Sequence, residues 1–167
     1  MRRAITTLAV MSVMLLAAAT SATANEPVRG TMDLEWNPCW TETGDVVPDW
    51  VGTITFGEDE YGMAFFNIGT GKAFDETGGL AGFFEEVYRI YDGLVPLVGK
   101  CFVPDPADVL LWGYDRGMFN GATAKYHMSG TVVDADADGP FAGFDGRGVH
   151  MSGLIVDDTA PGVLRIG

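Results

Sequence analysis

The chain has 167 residues, is 47% hydrophobic, and carries 23 Asp+Glu against 10 Lys+Arg for a net charge of −13. That apolar fraction excludes a disordered acidic tail. So negative a surface repels phosphate backbones and anionic lipid heads, and neither nucleic acid nor a charged membrane is an expected partner.

The chain opens with Arg2 and Arg3, continues through an uncharged apolar run from Ala4 to Ala19, and reaches Ala22-Thr23-Ala24. A basic start, an apolar stretch and a small-x-small site are the pattern of a secretory signal, so residues 1–24 are expected to be removed. The apolar run is short for a membrane span and lacks a basic flank, and no span is expected in the mature chain. What remains, 25–167, is long enough for one domain with its own core. It is expected to be secreted or periplasmic. In such an oxidising compartment the two cysteines, Cys39 and Cys101, are expected to pair. Closing a loop of about 60 residues contributes on the order of 4 kcal/mol in the chain-entropy picture.

Twenty-three glycines and eight prolines punctuate short runs rich in Val, Ile, Thr, Phe and Tyr, which is the pattern of strands and turns. In chain order the expected strands are 29–36, 50–56, 61–68, 82–91, 95–103, 109–114, 122–133, 146–156 and 162–166. Residues 80–91 also show helical spacing in Phe83, Phe84, Val87, Tyr88 and Tyr91. The aromatic and β-branched content, with Gly78, Gly79 and Gly82 in front, favours a strand.

A hairpin in the last third specifies its own register. The even positions Tyr126, Met128 and Val132 are apolar, while Thr123, Lys125, His127, Ser129 and Thr131 are polar. The following strand places Val149, Met151 and Ile155 on one face and His150 and Ser152 on the other. Setting Met128 opposite Met151 superimposes the two apolar faces, with Ser129 opposite His150 and Val132 opposite Arg147. Tyr126-His127-Met128-Ser129-Gly130 recurs as Val149-His150-Met151-Ser152-Gly153, which suits equivalent positions in a closed barrel. The fold class expected is therefore all-β, a single antiparallel closed or nearly closed barrel of about eight strands. The polar row on the hairpin's outer face opposes a barrel embedded in lipid.

Phe83-Phe84-Glu85-Glu86-Val87-Tyr88-Arg89-Ile90-Tyr91-Asp92, the strand from Tyr126 to Val133, and Gly146-Arg147-Gly148-Val149-His150-Met151-Ser152-Gly153 carry a resemblance. In strand rhythm the chain resembles small exported calycin-like barrels, and more loosely the allene oxide cyclase-like, dirigent-like barrels. The resemblance implies a barrel and carries over no catalytic residue, since the lipocalin Gly-x-Trp signature is missing.

Several residues are candidates for chemistry. Asp134, Asp136 and Asp138, with Gly139 and then Asp145 at the twelfth place, have the oxygen-ligand spacing of a calcium loop. The same residues also suit a solvated turn between two strands. His127 and His150 fall on one polar face about 7–8 Å apart, where they could share a metal or be plain surface groups. One of Glu85 and Glu86 must face inward if 82–91 is a strand, and a buried Glu can act as general acid or base. Arg147 could pair with it, bind an anionic ligand, or lie at the barrel mouth. Trp112, Tyr126, Met128 and Met151 are the candidate ligand-contacting side chains. The expected function is non-enzymatic binding of a small apolar molecule, or a role as an interaction module for another protein. A cofactor-free cyclase or isomerase guided by one inward carboxylate is the alternative, and calcium is the only cofactor that the sequence suggests.

Overall fold

The computed structural model describes residues 26–40, 47–74, 80–98 and 101–167. The signal segment expected over 1–24 lies outside the described residues. Ten strands follow in order: β1 Val28–Trp36, β2 Trp50–Phe56, β3 Asp59–Phe74, β4 Leu80–Tyr91, β5 Leu97–Val98, β6 Cys101–Phe102, β7 Val109–Asn120, β8 Lys125–Ala135, β9 Gly148–Leu154 and β10 Gly162–Ile166. Eight of them close an antiparallel barrel in the order β1-β10-β9-β8-β7-β4-β3-β2, with the first and last strands side by side. No described helix is long and apolar enough to cross a membrane.

The alternation seen in the sequence decides which face each strand buries. Met128 pairs with Met151 and Ser129 with His150, and the backbone of Val132 exchanges hydrogen bonds with Arg147 and Gly146, which is the expected register. Around the barrel, Met32, Ile54, Met63, Ile90, Leu111, Val132, Val149, Leu164 and Ile166 point inward and are almost fully buried. Each of the larger ones contributes about 1.5–3 kcal/mol of burial.

One end of the barrel is sealed. The connection from β8 to β9 folds Phe141 and Phe144 beneath the barrel, where both are buried. The Phe141 ring meets Phe56 and Phe144 edge-on at 5.4 and 5.9 Å and lies tilted against Tyr61 at 5.3 Å. The acidic residues of this connection face water while its two phenylalanines form the plug.

The 95–103 segment is the main departure from expectation, because it is not a barrel strand. Its two-residue strands β5 and β6 pair only with each other. The segment straps the outside of β2, β3 and β4, where its Val95 and Phe102, with Val109 at the start of β7, pack on a second apolar cluster of Val51, Ala64, Phe66 and Tyr91. Those strands are buried on both faces, so the run of Val, Pro and Leu reads as strand although it serves as cover. A disulfide joins Cys39 to Cys101 with 5.3 Å between Cα atoms. Beside it Asn37, fully buried, donates to the Phe102 carbonyl at 3.1 Å and accepts from the Cys39 and Phe102 amides. The strap is thus tied to the end of β1. β7 runs six residues beyond the expected 114, and this extension brings a further inward position into the site below.

Candidate functional site

Register places a polar layer across the barrel interior. Asn67 pairs with Glu86, Glu86 with Asp115, and Asp115 with Gly130 on successive strands. Side chains on one face of an antiparallel pair meet across the strands, so Glu86 and Asp115 are direct neighbours. Gly130 is the space that accommodates this: a Cβ there would lie 2.7 Å from the Asp115 Cβ. Asp49 joins the layer from the residue before β2. Its amide donates to the Phe65 carbonyl, its carbonyl accepts from the Asn37 amide, and its Oδ1 accepts from the Trp50 amide at 3.1 Å. Glu86 and Asp115 are 4% exposed and Asp49 is 2% exposed.

Three buried carboxyls at close quarters cannot all ionise. Burial pushes the Asp49 carboxyl from its ordinary 3.8 up to about 7, against hydrogen bonds from backbone amides and from the Glu86 and Asn67 side chains, which favour the charged form. Burial raises Glu86 well above the carboxylate range, and the charges of Asp49 and Asp115 and its hydrogen bond to Asp49 push it further the same way. Glu86 is therefore the donor and Asp49 the acceptor of that bond. Asp115 is raised by burial and then by Asp49. Neither of its oxygens has a hydrogen-bond partner among the described residues.

Two tyrosines flank the layer. The Tyr88 and Tyr126 hydroxyls are buried without partners among the described residues. Burial raises both, with Asp115 adding to each and Glu86 to Tyr126. Glycines make room for them. A Cβ on Gly113 would collide with the Tyr88 hydroxyl, and one on Gly162 with the Tyr126 hydroxyl.

At the end opposite the plug, an apolar recess is lined by Leu34, Trp50, Phe65, Phe84, Tyr126, Met128, Ile155 and Ala160, with Glu86 as its one described carboxyl. Its enclosed part measures about 30 Å³. That holds roughly one water-sized group.

Of the sequence candidates, Glu86, Tyr126 and Met128 come together at this recess. Met151 is buried in the core beside Met128 but does not line the recess. Trp112 is carried on the outer face, edge-on to Tyr114 at 5.5 Å, because the inward positions of β7 are Leu111 and Gly113. Glu85 faces outward. Arg147 sits at the plugged end, where its guanidinium lies 4.3 Å over the Phe144 ring and donates to the Glu26 carbonyl at 3.2 Å. It does not reach Glu86; the position opposite Val132 belongs to the barrel rim. Asp134, Asp136, Asp138 and Asp145 are exposed. Asp136 accepts from the Asp138 amide and Asp145 from the Ala135 amide, both at 3.0 Å. No group of three or more potential metal ligands converges among the described residues. His127 and His150 share the outer face, and His150 Nδ1 is 3.0 Å from the Ser129 hydroxyl.

Asp49, Asn67, Tyr88 and Asp115 belong to the site and are missed by sequence reasoning. The alternation Leu111, Gly113, Asp115, Gly117 is a signal for Asp115, hidden because Asp115-Arg116-Gly117 reads as a turn. No family model matches the chain, and no curated protein or solved structure matches it.

Proposed function

We propose that this barrel, working outside the cytoplasm, binds a small and mainly apolar molecule at its open end. The observation that carries the reading is the recess itself, whose aromatic and aliphatic walls surround the buried Glu86 carboxyl and the Tyr126 hydroxyl, unpartnered among the described residues. Glu86 gives its one proton to Asp49, and the hydrogen-bond donor left for a ligand is the Tyr126 hydroxyl, which lines the same recess without a partner among the described residues, so the ligand is one whose carbonyl or ether oxygen enters the deep end. The enclosed space takes only that polar group, and the ligand body rests at the mouth against Trp50, Phe84 and Ile155. The disulfide and the leader-like first 24 residues support the compartment.

The neutral fluorescent ketone prodan tests this. Its emission should shift to the blue on binding, and affinity should fall as pH rises through about 7, where the Asp49–Glu86 pair begins to ionise. Tyr126→Phe and Trp50→Ala should each weaken binding about tenfold or more. An emission shift that both variants retain, or no shift at all, returns the interior to a structural core.

A second reading has its own support in the Asp49–Glu86 pair. A carboxyl poised near neutral pH, a neutral acid hydrogen-bonded to it and a free tyrosine hydroxyl are the parts of proton-transfer isomerisation. In such a step Glu86 passes its proton along the hydrogen bond to ionised Asp49 and, now ionised itself, takes a proton from the carbon beside a substrate carbonyl. The Tyr126 hydroxyl hydrogen-bonds the enolate oxygen, and the same proton returns to a different carbon. This is the cofactor-free isomerase or cyclase alternative. Deuterium uptake from D₂O into an enone probe, lost in Glu86→Gln, would favour it over simple binding.

A further inference from the structure

One stretch of the outer face, running from β1 through β10, β9 and β8 to β7, is unlike the rest of this acidic molecule. Following the pairing partners around the barrel gives one continuous row: Arg29 beside Arg165, Arg165 beside His150, His150 beside Ser129, and Ser129 beside Arg116. All five are exposed. At about 4.8 Å between strands the row spans about 19 Å. The neighbouring outward row is His127, Ser152, Val163 and Thr31. Neither row contains a carboxylate in a chain that has 23.

Arg29 and Arg165 are direct cross-strand partners of like charge, an arrangement that destabilises a sheet unless something lies between them. Along this row Arg165 has only Arg29 and His150 as cross-strand partners, while Arg116, at the far end, stands opposite Glu85 of β4. Beside Arg165 the surface dips into a depression of about 240 Å³ bordered by His127, Ser129, His150, Ser152 and Val163. When Ser129 donates to His150 Nδ1, the other ring nitrogen carries its proton outward. The rim therefore offers guanidinium, imidazole and hydroxyl donors and no charged acceptor.

We infer that this face is a binding site for a tetrahedral oxyanion, the phosphate or sulfate group of a small soluble ester. Planar guanidinium forks match such oxygens, and the depression leaves room for a sugar-sized remainder beside the anion. The ligand is compact. Beyond the row Asp33 and Glu35 on β1 and Glu85 on β4 face outward, so a long polyanion or an anionic membrane meets repulsion on either side. The site is independent of the barrel interior.

Inorganic phosphate and sulfate are the probes, used on the intact chain at low ionic strength with sodium chloride at matched ionic strength as control. Phosphate or sulfate should raise Tm by about 2–4 °C more than chloride and give saturable calorimetric heat in the millimolar range or tighter. Arg165→Gln should abolish that anion response. It should also raise Tm by about 1–2 °C in anion-free buffer by removing the like-charge pair, which shows that the variant is folded. Equal responses to phosphate and chloride would reduce the effect to screening and overturn the site. An anion response unchanged in Arg165→Gln would overturn it equally. Sedimentation with phosphatidylglycerol vesicles but no response to free phosphate would assign the face to a membrane instead.

Discussion

Asp49→Asn tests the electrostatics of the interior most directly. The native carboxyl keeps its proton up to about pH 7, while the unfolded chain releases it near 3.8. The folded state thus binds more protons than the unfolded state between those values, and stability must fall as pH rises through that window. A shift of about three units at about 1.4 kcal/mol each gives roughly 4 kcal/mol, present in full below pH 4 and gone above pH 7. Glu86 and Asp115 are raised too, so the decline continues to higher pH. Urea unfolding at pH 4.5, 6, 7.5 and 9 measures it. Repulsion among the surface carboxylates slopes the same way, and the variant separates the two contributions. Asp49→Asn should match the wild type at pH 4.5 and exceed it by a few kcal/mol at pH 8. Curves that run parallel from pH 5 to 8 would show that Asp49 is ionised in the native state, and the reasoning about a neutral interior would fail with it.

Phe141→Ala should cost about 3 kcal/mol, because it opens a cavity under Phe56 and Tyr61, with the loss read as a lower urea midpoint at unchanged slope. Tyr88→Phe should be neutral or stabilising by up to about 1 kcal/mol, since its hydroxyl is buried without a described partner. A loss above 2 kcal/mol on thermal unfolding would reveal a hydrogen bond that the described residues do not supply.

The barrel was legible in the sequence wherever one face is buried and the other wet. The β8–β9 hairpin is the clearest case: Met128 and Met151 could share an inner face in only one register, and they do. Legibility failed where that contrast fails. The outer surface of β2 to β4 is itself covered, so the strap over 95–103 carried the same apolar run as the strands beneath it. The end of β7 was lost because Asp115 and Gly117, polar or small residues facing inward, imitate a turn. The carboxyl layer was half visible, since alternation required one of Glu85 and Glu86 to point in. Asp49 has no such signal: it lies outside any strand and reaches the layer only through the fold of the chain before β2. Trp112 illustrates the converse, an aromatic that composition assigns to the interior and strand phase assigns to the exterior.

The pairing of β1 with β10 brings together residues as distant as Val28 and Ile166. During synthesis the first strand has β2 on one side and nothing on the other until the final segment is available. Both it and β9 spend that interval as open edges, which are the surfaces through which sheets join neighbouring chains. Contacts of such sequence separation also form slowly. A chain arrested or clipped just before β10 would therefore keep two bare edges, and self-association is its expected fate.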